Sequence, residues 1–250
     1  KKNPKFNVVF DTEDFYNGYF RPLVLNRLCV SDFKELFSFY PKLFVRFTRK
    51  FLVLFYGRKE STPFCFENLS LKGKILYFDG YWQSEKYFAN IKSRIRQAFT
   101  FPSLKSEYHI AMEYQMATLN SVSLHIRCGD YIGLDEWDIC SRSYYERAID
   151  FFVDKYIEPA FFVFSDDVDC CRGKLPVGPK YVFVTGNDGS QSWRDMQLMS
   201  LCKGHIIANS TFSWWGAWLD PDPDKIVIAP KLWTKFDEHD DVVPEEWYRL

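Results

Sequence analysis

From Gly73 onward short apolar runs alternate with helical stretches, and this alternation constrains the fold more than any other feature of the chain. Residues 74–79 (KILYFD), 121–127 (SVSLHIR), 161–164, 181–184, 205–208 and 225–229 read as strands. Residues 84–99, 143–155, 192–202 and 211–219 read as helices, with Ser84 at the N-cap of the first. Strands alternating with helices imply βαβ units and a doubly wound parallel sheet. In that architecture ligands bind beyond the carboxyl ends of the strands. At 250 residues the chain has room for one large α/β domain or two small ones.

Composition narrows the classes. Hydrophobic residues at 47% and charged residues at 26% exclude disorder. A net charge of -1 supplies no global field for nucleic acid. No apolar run reaches the ~20 residues of a membrane-spanning helix. The 19% aromatic content suits a thick core or ring platforms for sugars and bases. Seven cysteines, an odd number with Cys170 and Cys171 adjacent, argue against an even disulfide framework and fit a reducing cytosol. The glycosylation patterns at Asn68 and Asn209 matter only in a secretory pathway. Residues 1–60 are basic, the stretch 43–56 reads as an amphipathic helix, and Lys42, Arg46, Arg49 and Lys50 fall near one face at helical spacing. That face is either solvated or a peripheral contact with an anionic membrane surface.

The chemistry concentrates where strands end. His125 and Arg127 have period-two spacing and project to the same side of their strand. An Arg at a strand's carboxyl end followed by Gly129 suits a phosphate, and equally suits a structural pair with Asp130 or Asp166. Asn209, Ser210 and Thr211 join a short strand to a helix, and all three are competent N-caps. A helix N-terminus there offers open N–H groups and partial positive charge to an anion. Asp195 follows Ser192 at capping-box spacing, or accepts the N–H groups of a guanine edge. Asp166 and Asp167 resemble an acidic pair for a metal-bound nucleotide sugar, yet Asp167 equally caps the next helix; without a third ligand no metal site is assigned. Dinucleotide, P-loop and G-x-S-x-G fingerprints are absent from the sequence.

Residues 77–88 (YFDGYWQSEKYF), 125–131 (HIRCGDY), 161–167 (FFVFSDD), 195–218 (DMQLMSLCKGHIIANSTFSWWGAW) and 225–233 (KIVIAPKLW) resemble, in order, the bacterial α1,2-fucosyltransferases of glycosyltransferase family 11. The resemblance implies a GT-B-like α/β fold of two Rossmann-type halves, 1–115 on the acceptor side and 116–250 binding GDP-fucose. It implies transfer of L-fucose from GDP-β-L-fucose to the 2-hydroxyl of a galactose-terminated glycan, with inversion and neither metal nor cofactor. It places the reaction in the cytoplasm, near the inner membrane. Arg127 then falls on the donor diphosphate, His125 and Asp195 on guanine, and Ser210, Thr211, Phe212 and Ser213 on the phosphate-binding turn. Asp166 and Asn209 join the donor set, Asp130 is the candidate base, and Tyr81, Trp82 and Gln83 line the acceptor side.

There are two departures from the family pattern. Cys128 replaces the second Arg of H-x-R-R-x-D, which removes a fork of donors. Residues 1–20 carry no Gly-rich opening of the GGLGNQ kind, and the chain starts at Lys1, so a segment upstream is expected. A nucleotide-sugar-binding relative with impaired catalysis, and a fucosyltransferase forming another linkage, are the competing readings.

Overall fold

The computed structural model describes residues 54–55, 57–69, 77–131, 133–187, 189–235 and 241–250, with the backbone of Val9–Asp11 and Lys34–Leu36. The basic segment with Lys42, Arg46, Arg49 and Lys50 lies outside these residues. The chain divides into two compact units, Lys1–Thr100 and Phe101–Leu250. No helix among the described residues is long and apolar enough to cross a membrane.

In the first unit, β1 (Val9–Asp11) pairs parallel with β2 (Lys34–Leu36), and β3 (Gly57–Lys59) pairs parallel with β4 (Tyr77–Asp79). Ser84 caps the following helix as expected, its Oγ accepting from the Lys86 N–H at 3.3 Å. The single helix predicted over 84–99 is instead two pieces, a 3-10 segment Glu85–Ile91 and α1 (Lys92–Ala98), parted at Ile91 (φ -131°), and the first piece is itself broken at Phe88 (φ -129°). Just before that break the Tyr87 hydroxyl donates to the Cys65 carbonyl and accepts from the Glu67 N–H, at 3.1 and 3.0 Å. The first piece is thereby tied to the loop before it, and the chain rewinds after Phe88.

The second unit runs α2 (Glu107–Thr118), β5 (Ser121–Ile126), α3 (Arg142–Lys155), β6 (Ala160–Ser165), α4 (Val168–Lys174), β7 (Lys180–Phe183), α5 (Trp193–Met199), β8 (Gly204–Ile206), α6 (Thr211–Leu219), β9 (Ile226–Ala229) and β10 (Tyr248–Arg249). All six strands are parallel, in the order β7-β6-β5-β8-β9-β10. Counted from β5, this is the 3-2-1-4-5-6 order of the Rossmann fold. The expected α/β architecture with a doubly wound parallel sheet is therefore present in this unit. The strand order reverses between β5 and β8, so the crevice for a ligand opens beyond their carboxyl ends.

Alternation along the central strands builds two cores. Val122, Leu124 and Ile126 of β5 pack with Phe161, Val163, Ile206 and Ile228 under Tyr144, Tyr145, Ile149 and Phe152 of α3. On the other face Phe162 and Phe164 of β6 meet Met112 and Met116 of α2 and Leu198 and Met199 of α5. Strands covered on both faces read as near-continuous apolar runs, which explains why β6 was legible. Helix α2 has no counterpart in the sequence reading. Its apolar residues do not segregate: Met112 and Met116 are buried while Ile110 and Tyr114 are exposed. It packs with the second unit, whereas an N-terminal half of 1–115 would have included most of it.

Candidate active site

Arg127 follows β5 and the segment of Asn209 to Ser213 follows β8, so the two places where the sequence suggests an anion flank the strand-order reversal. The Arg127 side chain is about one-third exposed (30%). Its guanidinium lies 3.3 Å from Asp166 Oδ2 and 5.4 Å from the centre of the Tyr131 ring. Asp166 Oδ1 accepts from the Cys128 N–H at 2.9 Å, so this carboxylate holds both the side chain of Arg127 and the backbone after it. Asp167 caps α4, accepting from the Cys170 N–H at 2.9 Å.

Gly129 permits that arrangement. A Cβ there would fall 2.3 Å from Asp166 Oδ2, well inside van der Waals contact. Gly129→Ala is expected to push the carboxylate off Arg127 and to weaken the binding of an anion there by ~10-fold or more, the scale of a lost hydrogen bond to a charged group. Its thermal midpoint should stay close to the parent's, because the pair is partly exposed. Titration with inorganic pyrophosphate beside a melting curve checks this.

At β8 the chain turns into α6 through Ser210, extended at φ -130° and ψ 128°, whose side chain makes no capping bond. The N–H groups of the first turn of such a helix have no partner within it. Ser213 is buried, its hydroxyl donating to the carbonyls of Ser210 at 3.2 Å and Ala208 at 3.4 Å, which shapes the turn. Thr211 is exposed, and the half-buried Phe212 ring lies 5.9 Å from His125. Asn209 faces inward: its amide donates to the carbonyls of Trp137 and Trp233, both at 3.0 Å, and its Oδ1 faces the Cys140 thiol at 3.5 Å. Its side chain braces the loop from within.

His125 is buried, and its Nδ1 has no hydrogen-bond partner among the described residues. Burial, reinforced by the nearby Arg127 charge, pushes its pKa down to about 3. His205 is also buried. The strand register sets it opposite Ser123, and it bridges Ser123 Oγ at 2.8 Å to Asp220 Oδ2 at 3.0 Å. Burial holds its pKa below the ordinary value against the opposing pull of Asp220. Both histidines stay neutral in the fold while the unfolded chain takes up their protons below pH ~6.5. Stability should therefore fall as pH drops from ~6.5 toward 3, by up to ~1.4 kcal/mol per pH unit for His125, with His205 acting in the same direction. Denaturant unfolding across that range measures the slope, and His125→Phe should make it shallower.

Asp195 sits in the first turn of α5, but the capping box does not form: Ser192 is helical at φ -56° and ψ -24°, and its side chain makes no cap bond. The Asp195 carboxylate instead accepts from the Asn187 amide at 2.6 Å. Asn187 stands in the loop after β7, and the sequence reading did not single it out. Asp130 lies in the 3-10 turn Gly129–Tyr131, and its side chain is outside the described residues.

Cys128 and Cys170 form a disulfide, which corrects the all-reduced reading of the cysteines. Cys128 is fully buried. The residue at the position of the family's second Arg thus points into the core beneath the loop, bonded to the first turn of α4, instead of toward the rim.

In the first unit Tyr81, Trp82 and Gln83 form the turn after β4. The buried Glu60 carboxylate accepts the N–H groups of Tyr81 at 2.8 Å and Trp82 at 3.2 Å. Trp82 has φ +52°, a strained conformation for a bulky residue. The ring of Trp82 meets Phe78 and Tyr87 edge-on, at 5.7 and 5.6 Å. Trp82 Nε1 and Gln83 Oε1 are buried without a partner among the described residues. Backbone strain beside unsatisfied polar atoms is characteristic of functional segments.

Residues 62–250 match the profile of glycosyl transferase family 11. An alpha-1,2-colitosyltransferase of Escherichia coli is 37% identical over 246 residues, covering 94% of this chain and 84% of that protein. The O-antigen biosynthesis glycosyltransferase WbnK of Escherichia coli is 38% identical over 152 residues, covering 59% of this chain and 50% of that protein. The galactoside 2-alpha-L-fucosyltransferase Sec1 of Mus musculus is 29% identical over 160 residues, covering 60% and 43%. The chain thus spans about half or less of the last two relatives. Crystal structures of the fucosyltransferase NodZ from Bradyrhizobium superpose with TM-scores of 0.36 and 0.39 at 18% and 15% identity, covering 52% and 74% of this chain and 47% and 61% of theirs. On the profile match and the 37% identity across nearly its whole length, the chain belongs to glycosyl transferase family 11.

Proposed function

We propose that the chain transfers L-fucose from GDP-β-L-fucose to the 2-hydroxyl of a terminal galactoside, with inversion and without a metal ion. The observation that carries this reading is the placement of Arg127 and the N-terminus of α6 on either side of the strand-order reversal. The acceptor oxygen attacks the anomeric carbon, the bond to the β-phosphate oxygen breaks, and GDP leaves with added negative charge. Arg127 and the N–H groups at Thr211, Phe212 and Ser213, opened by Ser210, stabilise that charge in a site already organised to receive it. His125 and Asp195 take the guanine edge, and Asp166 acts by holding Arg127. Asp130 receives the acceptor proton. Tyr81, Trp82 and Gln83 line the acceptor.

A second donor is favoured by one observation, the 37% identity to a colitosyltransferase over 94% of this chain. Turnover of GDP-fucose and GDP-colitose with galactosides, in EDTA, separates the readings. An α1,2-fucosylated product supports the first, and transfer from GDP-colitose alone replaces it with the second. Loss of activity in EDTA would overturn metal independence. GDP binding without transfer from either donor would favour the impaired relative.

A further inference from the structure

We propose that Asn187, backed by His109 and Ser106, is a positioning residue that fixes the Asp195 carboxylate for the base of the donor; this rests on the nucleotide-sugar reading above. Asn187 Nδ2 donates to Asp195 Oδ1 at 2.6 Å. Asn187 Oδ1 lies 2.7 Å from His109 Nε2, and His109 Nδ1 lies 2.5 Å from Ser106 Oγ. The same Ser106 oxygen accepts the His109 backbone N–H at 3.2 Å, as the N-cap of α2. Asn187 and His109 are buried, at 3% and 6% exposure.

The charge at one end sets the direction of the bonds through Asn187 to His109. An ionised carboxylate only accepts, so the amide nitrogen of Asn187 must face Asp195 and its oxygen must face His109. His109 then donates from Nε2, and in the neutral ring its Nδ1 accepts from the Ser106 hydroxyl. The relay joins α2, the β7–α5 loop and α5. Glycines with left-handed backbone, Gly186 at φ +85° and Gly189 at φ +58°, flank Asn187 and let its loop turn the side chain inward. Ser192 makes no side-chain cap at this helix start, and the Asn187 amide is bonded to the Asp195 carboxylate there. A carboxylate has about four acceptor sites, so a bond from Asn187 leaves it competent to receive the paired N–H donors of a 2-amino-6-oxopurine. A buried hydrogen bond to a charged group is short, directional and costly to lose. The relay thus converts a rotatable side chain into a fixed acceptor for one base.

The test compares binding of GDP and IDP, which lacks the 2-amino group, by calorimetry, together with kcat and KM for the sugar nucleotide. Asn187→Leu should weaken GDP binding and raise KM by ~10-fold or more, with kcat nearly unchanged and the GDP preference over IDP largely lost. His109→Gln, which keeps a donor toward Asn187, should hold the parent GDP:IDP ratio, and His109→Leu should lose it. Equal ratios in the two His109 variants, or a parent ratio in a folded Asn187→Leu, would overturn the relay while leaving the nucleotide-sugar reading intact. A parent protein that binds neither nucleotide, or does not distinguish them, would overturn that reading and the relay with it.

Discussion

Arg127→Ala is expected to lower kcat for the sugar nucleotide by ~10²–10³-fold, the usual effect of removing one preorganised donor from a developing anion. The guanidinium stands at the carboxyl end of β5, where the parallel sheet reverses its order, and Asp166 holds it from 3.3 Å. In the proposed reaction it meets the charge that develops on the leaving phosphate, which is why its loss should appear in the chemical step and not in KM alone. Arg127→Lys should fall between, since an ammonium keeps the charge but not the planar fork. The thermal midpoint should change little: both partners are about 30% exposed, and Asp166 retains the Cys128 N–H. Saturation kinetics with a melting curve for each variant decides the matter. Near-parental kcat in Arg127→Ala would mean that the leaving charge is met by other groups.

Reducing the Cys128–Cys170 bond, or replacing both residues by Ser, should destabilise the protein by about 2–4 kcal/mol. The crosslink closes a loop of 42 residues, and the loop-entropy relation gives ~4 kcal/mol for that length. In a unit of this size such a loss lowers the thermal midpoint by on the order of 10 °C. A second effect should follow from position. The bond ties the residue after Arg127 to the first turn of α4, which directly follows Asp166 and Asp167. Without it the Asp166 grip on the loop loosens, and the donor KM should rise even where the fold survives. Melts with and without reductant, paired with alkylation of the unfolded chain under non-reducing conditions, test this. A midpoint insensitive to reductant, with both thiols labelled before reduction, would show that the pair is not joined.

Much of the second unit was legible in the sequence. The strands β5, β6, β8 and β9 and the helices α3, α5 and α6 fall within a few residues of the predicted segments, because their apolar periods, caps and short connections are local signals. Helix α2 was not, since its apolar residues are spread around the axis and only tertiary packing selects Met112 and Met116 as the inner pair. Strand β10 was missed for a related reason: Tyr248–Arg249 is two residues long, and its pairing with β9 makes it a strand.

The candidate site divides in the same way. That Arg127, the Asn209–Ser213 stretch and Asp195 lie where strands or helices begin and end follows from local pattern. Which of their atoms face a ligand does not. Asn209 and Ser210 are adjacent polar residues with equal claims as caps, yet the Asn209 amide is bound by the Trp137 and Trp233 carbonyls, while Ser210 takes the N-cap place without a capping bond. Cys128 pairs with Cys170 across 42 residues because β5 and β6 are neighbours in the sheet. His109 meets Asn187 across 78 residues because α2 packs on the face that carries the β7–α5 loop. Periodicity and turn chemistry are properties of a few consecutive residues, so the sequence by itself determined the βαβ order and the rim on which the polar residues gather. Contacts between residues far apart in the chain exist only once the sheet has formed, so the tertiary structure alone decided the disulfide, the direction of Asn209 and the relay behind Asp195.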